Sequence, residues 1–137
     1  MEILLTTHGN FAKGILESYH MIAGENKHIH VLCLDEKGIG DYQERLNAWI
    51  KAFQHHDLLV LCDLKGGTPF NETYSHYLSK QANLRLIAGL NLPMLLEVGL
   101  QLSANLSLDD YATLAYHTGR DEVYLMVDEV ETDTIEF

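Results

Sequence analysis

Basic residues are scarce in this sequence. Nine Lys and Arg face twenty Asp and Glu, for a formal net charge of −11. So acidic a chain argues against nucleic acid and anionic membrane surfaces as partners. After Arg120 there are seven acids and no Lys or Arg, which reads as a solvated tail. Cysteine is scarce too. Cys33 and Cys62 each sit alone inside an apolar run and read as buried free thiols of a reducing cytoplasm, not as a disulfide framework. No stretch approaches the roughly 20 apolar residues of a membrane span. Nothing at the start reads as a charged-then-apolar leader, so secretion is not expected. Repeats, low-complexity tracts and linkers are missing as well. A length of 137 residues then suits one domain, 1–137, with a sizeable core. The histidines outside the first strand lack ligand spacing, and His55 with His56 reads as a polar helix end. Neither a metal nor a cofactor is expected.

What is present alternates between strand and helix. Ile3, Leu4 and Leu5 form a short buried first strand that runs into Thr6, Thr7, His8 and Gly9. Asn10 reads as the N-cap of a helix carrying Phe11, Ile15, Tyr19 and Ile22, ended by Gly24. Gly14 inside it costs roughly 1 kcal/mol against Ala, which suggests close packing there. His28 to Leu34 is a second strand. Asp41 and Glu44 resemble a capping pair before a helix with Tyr42, Leu46, Trp49, Ile50 and Phe53, an aromatic stripe that reads as core. The unbroken apolar run Leu58 to Cys62 is typical of a parallel strand covered on both faces.

After Asp63, Thr68 reads as an N-cap and Pro69 as a first helical residue, with Phe70, Tyr74, Tyr77 and Leu78 along the helix. Leu84 to Ala88 is a fourth strand. Asn91 with Pro93, and Ser107 with Asp110, open two more helices, the latter ending at Gly119. Val123 to Val127 is a last apolar strand before the acidic end. The class is therefore α/β, doubly wound, with a mostly parallel sheet. The common strand order 2-1-3-4 puts the switch point between strands 1 and 3, and Val123 to Val127 at an edge.

His8 ends strand 1 and Asp63 ends strand 3, so this topology brings both to one crevice. A neutral imidazole is a nucleophile through its free ring nitrogen, and a carboxylate on the other nitrogen fixes tautomer and orientation. Gly9 allows a close approach to the backbone. Gly66, Gly67 and Thr68 add a flexible turn and a hydroxyl, and the two helices that follow would aim N–H groups at an anion. The catalytic candidates are thus His8 and Asp63, and the phosphoryl-binding candidates Gly9, Gly66, Gly67 and Thr68. The stretch Asp63 to Asn71 on its own is also an ordinary strand–turn–helix connection. Its coincidence with His8 gives it functional meaning.

Three motifs, Thr7-His8-Gly9, Asp63 to Asn71 with its Gly66-Gly67-Thr68-Pro69 turn, and Leu90 to Met94 with Glu97, resemble the IIA component of the mannose-family sugar phosphotransferase system. The resemblance covers the whole chain in the same order and spacing. It implies that His8 accepts a phosphoryl group from the phosphocarrier HPr and passes it to a IIB partner, with Asp63 orienting the ring. It further implies a cytoplasmic protein that serves membrane IIC and IID components indirectly; with the sequence ending near residue 137, IIB is expected on a separate chain. It also implies a homodimer in which Val123 to Val127 crosses over and adds antiparallel to the partner's sheet. Lys65 stands where the family often carries an apolar residue.

A receiver-like signalling module would also place an aspartate at the end of strand 3. It would need an acidic pair at the end of strand 1, where this chain has Thr6, Thr7 and His8. A histidine phosphatase or mutase wants an arginine beside the histidine, and residue 7 is Thr. A non-catalytic regulatory module of the same fold would not need His8 and Asp63 together.

Overall fold

The computed structural model describes residues 1–128. Its elements are β1 (Glu2–His8), α1 (Phe11–Ala23), β2 (Ile29–Leu34), α2 (Gly38–Ala52), β3 (Leu58–Cys62), α3 (Thr68–Ser79), β4 (Leu84–Ala88), α4 (Leu92–Leu100), a 3-10 turn (Leu102–Ala104) and α5 (Leu108–Asp121). The four strands are parallel in the order β2-β1-β3-β4, as the alternation of the sequence predicts.

Apolar residues one apart in a strand serve opposite faces of the sheet. Ile3, Leu5, Leu59 and Leu61 pack under α1, α4 and α5, together with Ile15, Tyr19, Met94, Leu95 and Tyr111. Leu4, Leu58 and Val60 pack on the other face with Tyr42, Leu46 and Ile50 of α2. The central strands are thus buried on both sides, which explains the unbroken apolar runs. Cys33 and Cys62 are both buried free thiols. Thr6 faces the α2 layer, where its hydroxyl donates to Leu32 O at 2.8 Å and meets Tyr42 OH at 2.5 Å. Burial pushes the Tyr42 phenol up to about 12.

Several local readings are corrected. Helix α2 starts at Gly38, earlier than the Asp41–Glu44 pair implied, and Asp41 binds Arg45 Nε at 2.8 Å instead of capping. Arg45 in turn donates to Cys33 O at 2.7 Å, tying α2 to β2. Gly119 does not end α5 but lies inside it, pressed against Met94, so its small size serves packing. Gly14 has the opposite surprise: a Cβ there would meet nothing within 4 Å. Phe11, Ile22, Tyr74, Tyr77 and Leu78 are exposed, while Ala12, Ile15 and Tyr19 bury α1, and Pro69 and Thr73 bury α3. Val123 to Val127 forms no strand within the chain. These five residues are 56% to 79% exposed. The acids beyond Asp128 lie outside the described residues.

At the amino edge of the sheet Glu2 is shared by two histidines. Its carboxylate takes His28 Nδ1 at 2.9 Å and His30 Nε2 at 2.7 Å. The His30 ring packs against Trp49 and Phe53. Burial raises the Glu2 carboxyl, but the hydrogen bonds and charges of His30 and His28 outweigh it and leave its pKa below the ordinary value. A lowered carboxylate pKa stabilises the fold above the unfolded-state pKa, and that stability disappears as pH falls through the folded value. Urea unfolding should therefore show wild type more stable than Glu2→Gln near neutral pH, with the gap closing below about pH 4. Glu2→Ala, which leaves both imidazoles unpartnered, should cost roughly 1–3 kcal/mol at pH 7. A gap that does not change with pH would contradict this linkage.

Candidate functional site

The parallel register aligns Thr6 of β1 with Cys62 of β3, so the next residues along each strand emerge side by side at the carboxyl edge. There His8 Nδ1 meets Asp63 Oδ2 at 2.8 Å. The same oxygen accepts the His8 backbone N–H at 3.0 Å, and Asp63 Oδ1 accepts the Leu64 N–H at 3.0 Å. Three donors hold the carboxylate in one orientation, and it holds the ring. Burial raises the Asp63 carboxyl, but the His8 backbone N–H, the His8 ring and its charge outweigh burial and leave the pKa below the ordinary carboxylate value. Asp63 therefore stays ionised throughout the neutral range. The His8 side chain is 44% exposed against 13% for Asp63, and among the described residues Nε2 has no hydrogen-bond partner. With Asp63 accepting at Nδ1, the proton belongs on Nδ1 and the free lone pair on Nε2.

The turn after His8 is fixed from inside. Thr7 is fully buried, and its hydroxyl accepts the Ala12 N–H at 2.8 Å. It thus replaces the cap expected of Asn10, whose side chain caps nothing. Gly9 takes φ +57°, a left-handed conformation, while its N–H donates to Leu34 O at 2.7 Å. The sequence signal for Thr7 was a threonine five residues before Ala12, a spacing longer than that of the usual caps.

The turn after Asp63 is built from backbone. Gly66 has φ +85°, and Gly67 N–H donates to Leu64 O at 3.2 Å. Asn71, which sequence reasoning left without a role, closes the turn: its Nδ2 donates to Gly66 O at 3.0 Å. Gly67, not Thr68, is the N-cap of α3; Thr68 is its first helical residue and Pro69 its second. Among the described residues the N–H groups of Thr68 and Phe70 have no acceptor. Gly67 also lies against the ring: a Cβ there would sit 2.8 Å from His8 Cε1. The His8 ring therefore meets both Asp63 and Gly67, with Gly66 and Thr68 flanking Gly67 and Gly9 flanking His8. Lys65 and Leu64 are exposed beside them.

The arrangement offers an oriented imidazole with one ring nitrogen unpartnered among the described residues, beside the amino end of a helix. Helix amino ends favour anions, each by about 0.3–1 kcal/mol and up to about 2 when partly buried. Among the described residues no cluster of His, Cys, Asp and Glu could hold a metal ion.

Residues 2–114 match the family model described as the PTS system fructose IIA component. The chain is 37% identical over 112 residues to the fructose-specific EIIA component of Bacillus subtilis, covering 80% of this chain and 75% of that one. It is 35% identical over 99 residues to the sorbose-specific EIIA component of Lacticaseibacillus casei, covering 72% of this chain and 71% of that one. In structure it resembles the mannose/sorbose specific IIA subunit of Enterococcus faecalis, with a TM-score of 0.83, 32% identity, and coverage of 92% of this chain and 94% of that one.

The Thr7 cap has a consequence that can be measured. Thr7→Val keeps the shape but strands the Ala12 N–H, and should cost roughly 1–3 kcal/mol in denaturant unfolding. The Ala12 amide should then exchange faster with solvent. Unchanged stability and unchanged exchange would mean that the hydroxyl does not hold the turn.

Proposed function

The chain belongs to the mannose-family IIA components of the sugar phosphotransferase system, and from that premise we propose that His8 accepts a phosphoryl group from HPr and passes it to a IIB partner. The observation that carries the proposal is the 2.8 Å contact of His8 Nδ1 with Asp63 Oδ2, which leaves Nε2 as the nucleophile. In the step, the Nε2 lone pair forms a bond to phosphorus. The bond from phosphorus to the donor breaks, and its electron pair stays with the donor. The Nδ1 proton remains on His8, so the ring becomes a phosphoryl-imidazolium whose positive charge faces the Asp63 carboxylate. The amino ends of α1 and α3, with Gly9, Gly66, Gly67 and Thr68, receive the phosphoryl oxygens. Transfer to IIB reverses the same bonds. Asp63 orients and does not react: both its oxygens are already engaged by N–H groups. This separates it from a receiver-type aspartate, which must present a free oxygen.

Incubation with phosphoenolpyruvate, the general first enzyme of the system and HPr should give an acid-labile, base-stable label on His8 alone. A label that persists in His8→Gln would refute the assignment. Asp63→Asn should keep the fold while slowing transfer by at least roughly tenfold, about 1.4 kcal/mol of barrier, because the amide no longer selects the Nδ1–H tautomer.

The proposal extends to a homodimer by exchange of Val123 to Val127. Two features support it. One is the segment itself, apolar and exposed. The other is the outer edge of β4, which among the described residues pairs only with β3 and is bordered by a groove of about 240 Å³ lined by Phe70, Tyr74, Tyr77, Arg85, Leu86 and Ala112. Phe70 stacks on Tyr74 and Tyr74 on Tyr77, so the groove wall is a continuous aromatic row. An apolar strand laid antiparallel on β4 would cover it, and exchange between identical protomers closes a twofold dimer. Light scattering coupled to size exclusion should give a dimer for the full chain and a monomer for a chain ending at Glu122. A monomeric full chain at micromolar concentration would overturn the exchange and leave the His8 chemistry standing.

A further inference from the structure

Five glycines, Gly9, Gly24, Gly38, Gly66 and Gly89, have positive φ and are glycines for backbone reasons. Gly67 is not one of them. Its φ of −78° and ψ of 172° are extended backbone open to any residue. It is also the N-cap of α3, a position where Ser, Thr, Asn or Asp would do as well or better. What excludes a side chain is the imidazole. A Cβ at 67 would lie 2.8 Å from His8 Cε1, well inside the roughly 3.5–4.0 Å of ordinary carbon contact, and 3.4 Å from Nε2. His8 cannot swing away freely, since Asp63 Oδ2 holds both its ring nitrogen and its backbone N–H.

We propose that Gly67 is a positioning residue for His8, its missing side chain letting the amino end of α3 lie against the Cε1–Nε2 edge of the ring. The inference rests on His8 as the phosphoryl acceptor. With a Cβ present, relief comes in one of two ways. The ring rotates and pulls Nδ1 off Asp63, or the turn backs away and removes the free N–H groups of Thr68 and Phe70 from Nε2. Both separate the nucleophile from the groups that would stabilise the phosphoryl oxygens. The capping side chain foregone at 67 is the local stability given up for that contact.

The test compares wild type, Gly67→Ala and Gly14→Ala. Gly14 is a control because a Cβ there meets nothing within 4 Å. In wild type, NMR should show a nuclear Overhauser contact between His8 Hε1 and the Gly67 Hα protons, and ring nitrogen signals of an Nδ1–H tautomer. Gly67→Ala should melt within roughly 4 °C of wild type. Its His8 ring signals should move toward a mixture of tautomers. Phosphoryl uptake from phosphorylated HPr should slow by roughly ten- to a hundredfold, as a misplacement of about 1 Å does, in kcat more than in KM. Gly14→Ala should leave His8 signals and uptake as in wild type. Wild-type ring signals and uptake in Gly67→Ala would overturn the proposal. So would absence of the Overhauser contact in wild type, which decides the matter even where Gly67→Ala does not fold. A wild type that takes no label, with ring signals that still move in Gly67→Ala, would overturn the acceptor reading and leave the contact intact.

Discussion

The site depends on one constraint, the parallel register between β1 and β3. Glu2 opposite Leu58 and Thr6 opposite Cys62 leave no freedom in where the two strands end. A one-residue slip would turn Ile3 and Leu5 out of one core and Leu4 out of the other. It would also carry Asp63 away from the His8 ring. Burial of the strands on both faces therefore fixes the distance between His8 and Asp63. The side chains that secure the register are apolar and remote from the candidate site, and His8 and Asp63 sit just past the last pair that β1 makes with β3.

The same chain holds a second imidazole–carboxylate pair of nearly equal geometry. His28 Nδ1 lies 2.9 Å from Glu2, with side-chain exposures of 43% and 9%, against 2.8 Å, 44% and 13% for His8 and Asp63. Distance and exposure do not separate the two. Position in the sheet does. His8 stands at the carboxyl edge, where α1 and α3 begin and offer positive ends. His28 stands at the amino edge, just after α1 has ended at Gly24, where helix carbonyls gather. The field at one edge favours an anion and at the other a cation. The carboxylate at the amino edge is moreover shared with His30, so it joins β1 to β2 and adds to stability. A hydrogen-bonded histidine is thus not by itself a phosphoryl site; the helix directions decide.

The sheet order and the meeting of His8 with Asp63 were legible in the sequence because both follow from long-range alternation and from which residue ends each strand. Caps were legible where the side chain bonds a near neighbour: Asn91 accepts Met94 N–H and Ser107 accepts Asp110 N–H as their spacing implies. They were not legible where the partner is unusual. Thr7 reaches five residues to Ala12, and Asp41 prefers Arg45 to its own helix end. The α3 stripe shows a different limit. Phe70, Tyr74 and Tyr77 have helical spacing and apolar bulk, which look like core from sequence, yet they border an open strand edge. Periodicity tells that a face is apolar, not what covers it. The Gly67 contact could not be read at all, since it joins residues from two strand ends through a close approach in space.

Conformational economy in the site runs opposite to that in the sheet. Every central strand position from Leu58 to Cys62 is fully buried, and the strands carry β-branched or aliphatic residues suited to pleated surfaces. Around His8 the chain instead accepts left-handed backbone at Gly9 and Gly66, leaves Asn10 idle as a cap and puts glycine at the cap of α3. Each of these gives up some local stability. Thr7 and Asn71 limit the loss by anchoring one turn apiece with a side-chain hydrogen bond. Such anchors can be few because both turns spring from strands that cannot shift. The result is a ring held on one side by Asp63 and bounded on the other by Gly67, with Nε2 the only nitrogen left for a partner. Rigidity of the sheet is what makes so sparse a set of side chains sufficient.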